Sequence, residues 1–177
     1  MAKGKNLSAG RILYSLMFLA LAVLLPLVEG QIGFSLGFMG LFTLLCGFTC
    51  GATWGMIVGA LTPFLHSMVF AGKIFFASDL VLAISLAAGA FVGGLLFKKL
   101  DKNMLFYFVA VIAAVICAAL AQGAVTIIFT FLNWISGDVS INIFLNCLTA
   151  DFYVKLIHVI AVPLIVSVFR KNRLILN

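Results

Sequence analysis

Six stretches of nearly unbroken apolar residues, separated by short polar interruptions, organise the chain. They cover residues 12–28, 32–48, 53–70, 80–97, 104–132 and 152–169. Each has the length, about 17 residues or more, that a helix needs to cross the hydrocarbon of a bilayer. Lipid offers no water to an open backbone, so helices, which satisfy their own N–H and C=O groups, are the expected elements. The interruptions are Glu29-Gly30-Gln31, a tight turn at 49–52, residues 71–79, the KKLDK run at 98–102 and a longer connection at 133–151. The pattern predicts an all-α integral membrane protein: a six-transmembrane-helix bundle forming one membrane domain over residues 1–177.

Composition agrees with the pattern. Of the 177 residues, 65% are hydrophobic and 9% charged, against about 45–50% and about 25% in soluble domains. No Pro- or Ser-rich linker divides the chain. Its basic start runs into an apolar stretch as a signal peptide does, but no convincing small-residue cleavage site follows Pro26, so the segment is read as the first span.

Charge sets the orientation. Lys3, Lys5 and Arg11 precede the first span, Lys98, Lys99 and Lys102 follow the fourth, and Arg170, Lys171 and Arg173 follow the sixth. Basic loop residues are retained in the cytoplasm, and an even number of spans between the clusters puts all three there, with both the N and C termini cytoplasmic. Glu29, Asp79, Asp138 and Asp151 then lie outside and Asp101 inside. The basic residues mark sidedness rather than one soluble face, which excludes a nucleic-acid partner. Cys46, Cys50, Cys117 and Cys147 lack paired metal-site spacing and read as small buried hydrophobes, so no metal is expected.

The remaining lysines, Lys73 and Lys155, fall outside the basic clusters. Polar groups in lipid need a partner or a water-filled cavity, which makes their placement informative. Asp151, Lys155 and His158 recur at i, i+4, i+7 and share one face of the last helix. Gln122, Thr126, Thr130 and Asn133 form a stripe on the fifth helix, and Thr62 and His66 another on the third. All lie in the outer half, whereas 159–166 reads VIAVPLIV. The pattern predicts a pocket open outward and closed below. Structural alternatives stand beside it: Lys155 snorkelling to headgroups with Asp151 as its partner, and His66 and His158 as satisfied core histidines. Rows of small residues, Gly51/Gly55/Gly59, Gly89/Gly93, Ala90/Gly94 and Ala110/Ala114/Ala118, serve helix packing or a partner-docking surface. Pro63 and Pro163 are expected to interrupt helix bonding.

The six spans, the run CGFTCGATWGMIVGALTPFLHSMVFAG at 46–72 and the last helix YVKLIHVIAVPLIVSVFRK at 153–171 resemble the S-components of energy-coupling factor (ECF) vitamin transporters. The resemblance covers nearly the whole chain. It implies a substrate-specific subunit of an ECF-type importer in the bacterial cytoplasmic membrane, binding a water-soluble vitamin or related micronutrient in an outward-facing pocket. Implied partners are a membrane T-component and two cytoplasmic ATPases. With no Walker sequence, the chain is expected to need no cofactor itself, ATP being used only by the partners. The first helix offers Ala20 and Ala22, two apart, where the family carries small residues four apart. Carried over by position, Glu29, Gly30, Gln31 and Gly72 belong to outer gating loops, with Gly30, Gly33 and Gly72 as hinges, and Trp134 and Phe75 stack on a flat ring or join an interfacial aromatic belt.

The expected substrate-binding set is Thr62, His66, Lys73, Asp79, Gln122, Thr126, Asn133, Trp134, Asp151, Lys155 and His158. Its lysines and histidines favour an anionic vitamin such as a folate, pantothenate or nicotinate. Two other classes compete: a ligand-free structural or scaffold protein of the envelope, and a small intramembrane enzyme using Asp151, Lys155 and His158. No hydrolase motif supports the last, and no catalytic residue is expected.

Overall fold

In the computed structural model, residues 3–32, 36–72, 76–99, 104–132, 134–135, 142–149 and 151–171 are described. Among them all regular structure is helical: α1 (Lys3–Leu24), α2 (Pro26–Ile32), α3 (Phe38–Cys50), α4 (Ala52–His66) running into a π-helical turn (Ser67–Ala71), α5 (Phe76–Lys99), α6 (Met104–Phe131), α7 (Asn142–Thr149) and α8 (Phe152–Lys171). Five segments are long and apolar enough to cross a membrane: Ala9–Glu29, Ala52–Ala71, Phe76–Lys99, Met104–Phe131 and Phe152–Lys171. The second expected span is the shorter α3, whose 13 residues cover about 20 Å at about 1.5 Å per residue.

Each departure from the expected elements has a local cause. Helix continues through Glu29-Gly30-Gln31, where a break was expected. The chain breaks earlier, at Leu25, because Pro26 has no N–H to give to Ala22 and is suited to start the next helix. Leu25 still bonds Leu21, and Val28 bonds Leu25, so α2 is a kinked extension of α1. The connection at 133–151 contains α7, whose eight residues are too few to register as a span. The turn expected at 49–52 is a single residue, Gly51, at φ 108°, a backbone that L side chains rarely adopt.

α3 lies at the centre, packed against α1, α4, α5 and α8. All but one of its last ten positions, Leu41 and then Thr43 to Cys50, are buried, as befits a helix that is apolar all round. The core joins Phe18, Leu45, Phe48, Val58, Val111, Ala114, Val162 and Val166, with Phe48 edge-on to Phe97 at 5.3 Å. Lipid is as apolar as leucine, so close packing rather than expulsion from water holds such helices together.

The glycine rows serve this packing. A Cβ on Gly47 would collide with the Ala90 carbonyl, and one on Gly55 with the Gly47 backbone. At Gly59 it would stand 2.7 Å from the Ala87 nitrogen, and at Gly94 2.6 Å from the Gly47 oxygen. Gly89 stands against Ala118 and the Ala114 carbonyl of α6, and Gly93 against the Phe48 ring and the Ala114 methyl. The small residues therefore let α3, α4, α5 and α6 touch main chain to main chain.

Candidate functional site

Four helices surround a void. α3 and α6 each pack against both α5 and α8, and a cavity of about 240 Å³ lies between the α5 and α8 faces. Its wall takes Gly37, Gly40 and Thr43 from α3 and its lead-in, Ser85 and Gly89 from α5, Ala118 and Gln122 from α6, and Val154, Lys155 and His158 from α8, with Asp151 just before it. These segments are the first turns of α3 and α8 and the later half of α6, so the cavity sits at one end of the bundle. Toward the other end Leu44, Leu86 and Val115 line it, and the core lies beyond. The described basic residues Arg11, Lys98, Lys99, Arg170 and Lys171 belong to the opposite helix ends.

His158 is buried, at 7% exposure. Its Nε2 lies 2.9 Å from the Gly37 oxygen. A carbonyl only accepts, so Nε2 carries the proton and Nδ1 is the nitrogen left to meet a ligand or gain a second proton. The imidazole fits because Gly37 and Gly40 have no side chains: a Cβ would fall 2.9 Å from Nε2 at Gly37 and 2.8 Å from Cε1 at Gly40. Gly37 also holds φ 67°.

Glu29 builds the same corner. Its Oε1 accepts from the backbone N–H groups of Leu36 at 2.8 Å and Phe38 at 2.9 Å, on either side of the Gly37 that holds His158. A residue expected in a gating loop thus anchors the start of α3. Hydrogen bonds to a charged acceptor contribute about 1.5–3 kcal/mol each, and half-burial of Glu29 argues for the lower figure. Glu29→Ala is expected to cost about 1–3 kcal/mol and to speed hydrogen exchange at Leu36 and Phe38; unchanged protection at both amides would contradict the anchoring.

Lys155 donates to the Cys147 oxygen at 2.8 Å. That carbonyl lies in the last turn of α7, where helices leave acceptors unfilled and attract cations. Lys155 thus ties α8 to α7 while lining the cavity. Burial pushes the Cys147 thiol above its usual range, against the opposing pull of Lys155, which makes it a weak nucleophile.

The expected set divides. Gln122, Asp151, Lys155 and His158 come together in the cavity wall. Thr62, His66, Asp79, Thr126 and Trp134 do not line it. Thr62 is fully buried and donates to Val58 of its own helix at 2.7 Å. His66 stacks on Phe70 at 5.0 Å. Asp79 is buried and accepts from Ser67 of the π-helical turn at 2.8 Å, a tie between α4 and α5. Trp134 packs on Phe129 at 5.1 Å and edge-on to Phe76 at 6.1 Å. Thr126 gives its carbonyl to Thr130. Gly30 and Gln31 lie in α2, and Gly72 ends the π-helical turn at φ 64° with open space beside it. Lys73 and Asn133, with Gly33 and Phe75, lie outside the described residues.

Gly37, Gly40, Thr43 and Ser85 were not expected in the site. Thr43 bonds the Gly40 oxygen at 2.9 Å and Ser85 the Ala118 oxygen at 2.9 Å. Among the described residues no three His, Cys, Asp or Glu side chains converge as a metal would require.

Fold and cavity together define a multi-pass helical membrane protein with a largely apolar cavity, carrying a few polar side chains, at one end of its bundle. No protein family, curated protein or solved structure matches the chain.

Proposed function

We propose that this chain is the solute-binding subunit of an ECF-type importer, capturing a small anionic micronutrient in the chamber between α3, α5, α6 and α8. The observation that carries the reading is the convergence of Gln122, Asp151, Lys155 and His158 on one void with an apolar floor. A channel or a proton relay needs polar groups at both depths, whereas a capture site needs them at one. The basic residues at the far end support a cytoplasmic position for it by charge bias, and on this reading the chamber opens to the exterior of a bacterial cytoplasmic membrane.

The volume narrows the solute. Pockets that bury small ligands hold about 300–1,000 Å³, and this one, at about 240 Å³, favours a one-ring or short-chain acid of nicotinate or pantothenate size over a folate. Lys155 supplies the positive charge of the site, Asp151 a carboxylate beside it, Gln122 a neutral donor and acceptor, and His158 an acceptor at Nδ1. Energy for release inward comes from a T-component and two ATPases.

Native mass spectrometry of the full chain, purified in mild detergent, tests this. The expected spectrum shows one small-molecule adduct, restored to stripped protein by a micronutrient acid. A stripped protein that neither binds nor is thermally stabilised by nicotinate, pantothenate or folate would overturn the anionic-vitamin reading.

A further inference from the structure

Beside the chamber runs a second hollow, a groove of about 360 Å³ between α6, α7 and α8. Its walls are apolar: Ile112 and Ile116 from α6, Leu148 from the last turn of α7, and Phe152, Leu156 and Val159 from α8. Ile112, Ile116, Phe152 and Leu156 are exposed, so the groove opens on the outside of the bundle.

Helix geometry makes the two hollows neighbours. On α8 and the residue before it, the chamber takes positions 151, 154, 155 and 158 and the groove 152, 155, 156 and 159. One set is the other advanced by a residue, a rotation of about 100° about the helix axis. On α6 the chamber takes 115, 118, 119 and 122 and the groove 112, 115, 116 and 119, again two adjoining faces. Val115, Ala119 and Lys155 line both hollows. At Ala119 the partition adds only a methyl to the main chain.

Lys155 brings a charge to that boundary. Its ammonium donates to the Cys147 carbonyl, which draws the charged end toward α7, where Leu148 and Thr149 line the groove, and lays the methylene stem along the partition. An acid held at this ammonium has Gln122 and His158 on one side and an apolar trough on the other.

We propose that chamber and groove are two halves of one site and that its ligand is an amphipathic acid, with its anionic head in the chamber at Lys155 and Gln122 and its apolar chain in the groove between α6, α7 and α8. The inference rests on the capture reading above and narrows its ligand class. Pockets that bury small ligands hold about 300–1,000 Å³, mostly apolar with a few placed polar groups. The chamber alone, at about 240 Å³, falls below that range, and chamber and groove together fall within it.

Isothermal titration of the full-length protein in one detergent tests this, with butanoate and octanoate as probes that share a head and differ only in chain length. Octanoate is expected to bind at least about tenfold more tightly, the gain from taking about two methylenes out of water. Ile116→Trp, at an exposed position that lines the groove and not the chamber, is expected to bring octanoate to within about threefold of butanoate, with butanoate binding and the melting temperature at parent values. Uptake by micelles is common to parent and variant and drops out of that comparison. Should Ile116→Trp melt early, Thr149→Trp at the exposed rim is read in its place. Lys155→Gln is expected to weaken both acids by the same factor. Equal affinity of the two acids, or a chain-length gain that survives the tryptophan, would overturn the proposal and leave the chamber a site for small hydrophilic acids. So would a protein that holds nicotinate or pantothenate and neither probe. If it holds none of these acids, the capture reading falls as well.

Discussion

A Gly47→Leu protein is expected to give no folded bundle in detergent. At this position even a Cβ collides with the carbonyl of Ala90, and the Cβ position of Gly55 falls on the Gly47 backbone. The obstructing atoms are main chain and cannot rotate aside. Overpacking a dense core costs about 1–3 kcal/mol and at times more, against a total stability of about 5–15 kcal/mol. Gly47→Ala is the graded form, expected to lose about 2 kcal/mol or more in a denaturant titration in micelles. Gly72→Ala is the control: nothing stands within 4 Å of its Cβ, so its cost is the left-handed backbone alone, about 1–2 kcal/mol. If Gly47→Ala unfolds at the same midpoint as the parent, the backbone contacts of α3, α4 and α5 are looser than described.

A Lys155→Gln protein is expected to fold and yet bind nicotinate or pantothenate at least about tenfold more weakly, the lower end for removing one charge from a desolvated pair. The glutamine amide still reaches toward the Cys147 carbonyl, so the tie between α7 and α8 is largely kept. Lys155→Met removes both the charge and the donor and is expected to lower the melting temperature as well. Titration calorimetry beside a thermal melt separates the roles. Full binding by Lys155→Gln would reduce Lys155 to a cap on α7.

The apolar pattern carried most of the fold, because a span in lipid must be helical and must be long. It did not separate α3 from the other spans, since burial inside a bundle and exposure to lipid select the same residues. It passed over α7, which is amphipathic and short. For the site, the α8 stripe and Gln122 were legible, because an amine and an imidazole cannot be satisfied by their own helix. The threonines misled. Thr62 bonds Val58 and Thr130 bonds Thr126 within their own helices, so a hydroxyl in lipid implies no cavity. Gly37 and Gly40 were illegible for another reason: their purpose is a slot for an imidazole 121 residues away from Gly37. Spacing along one helix carries no trace of such a partner.

α3 spans about 20 Å, whereas the Ala52–Ala71 segment that leaves the same Gly51 reversal is long enough to cross a hydrocarbon slab roughly 30 Å thick. Starting level at the reversal, the two arms are therefore unequal, and α3 gives out about 10 Å before its partner does. The missing length is at the Gly37 end, so the short helix leaves a recess inside the bundle rather than a notch in its outline.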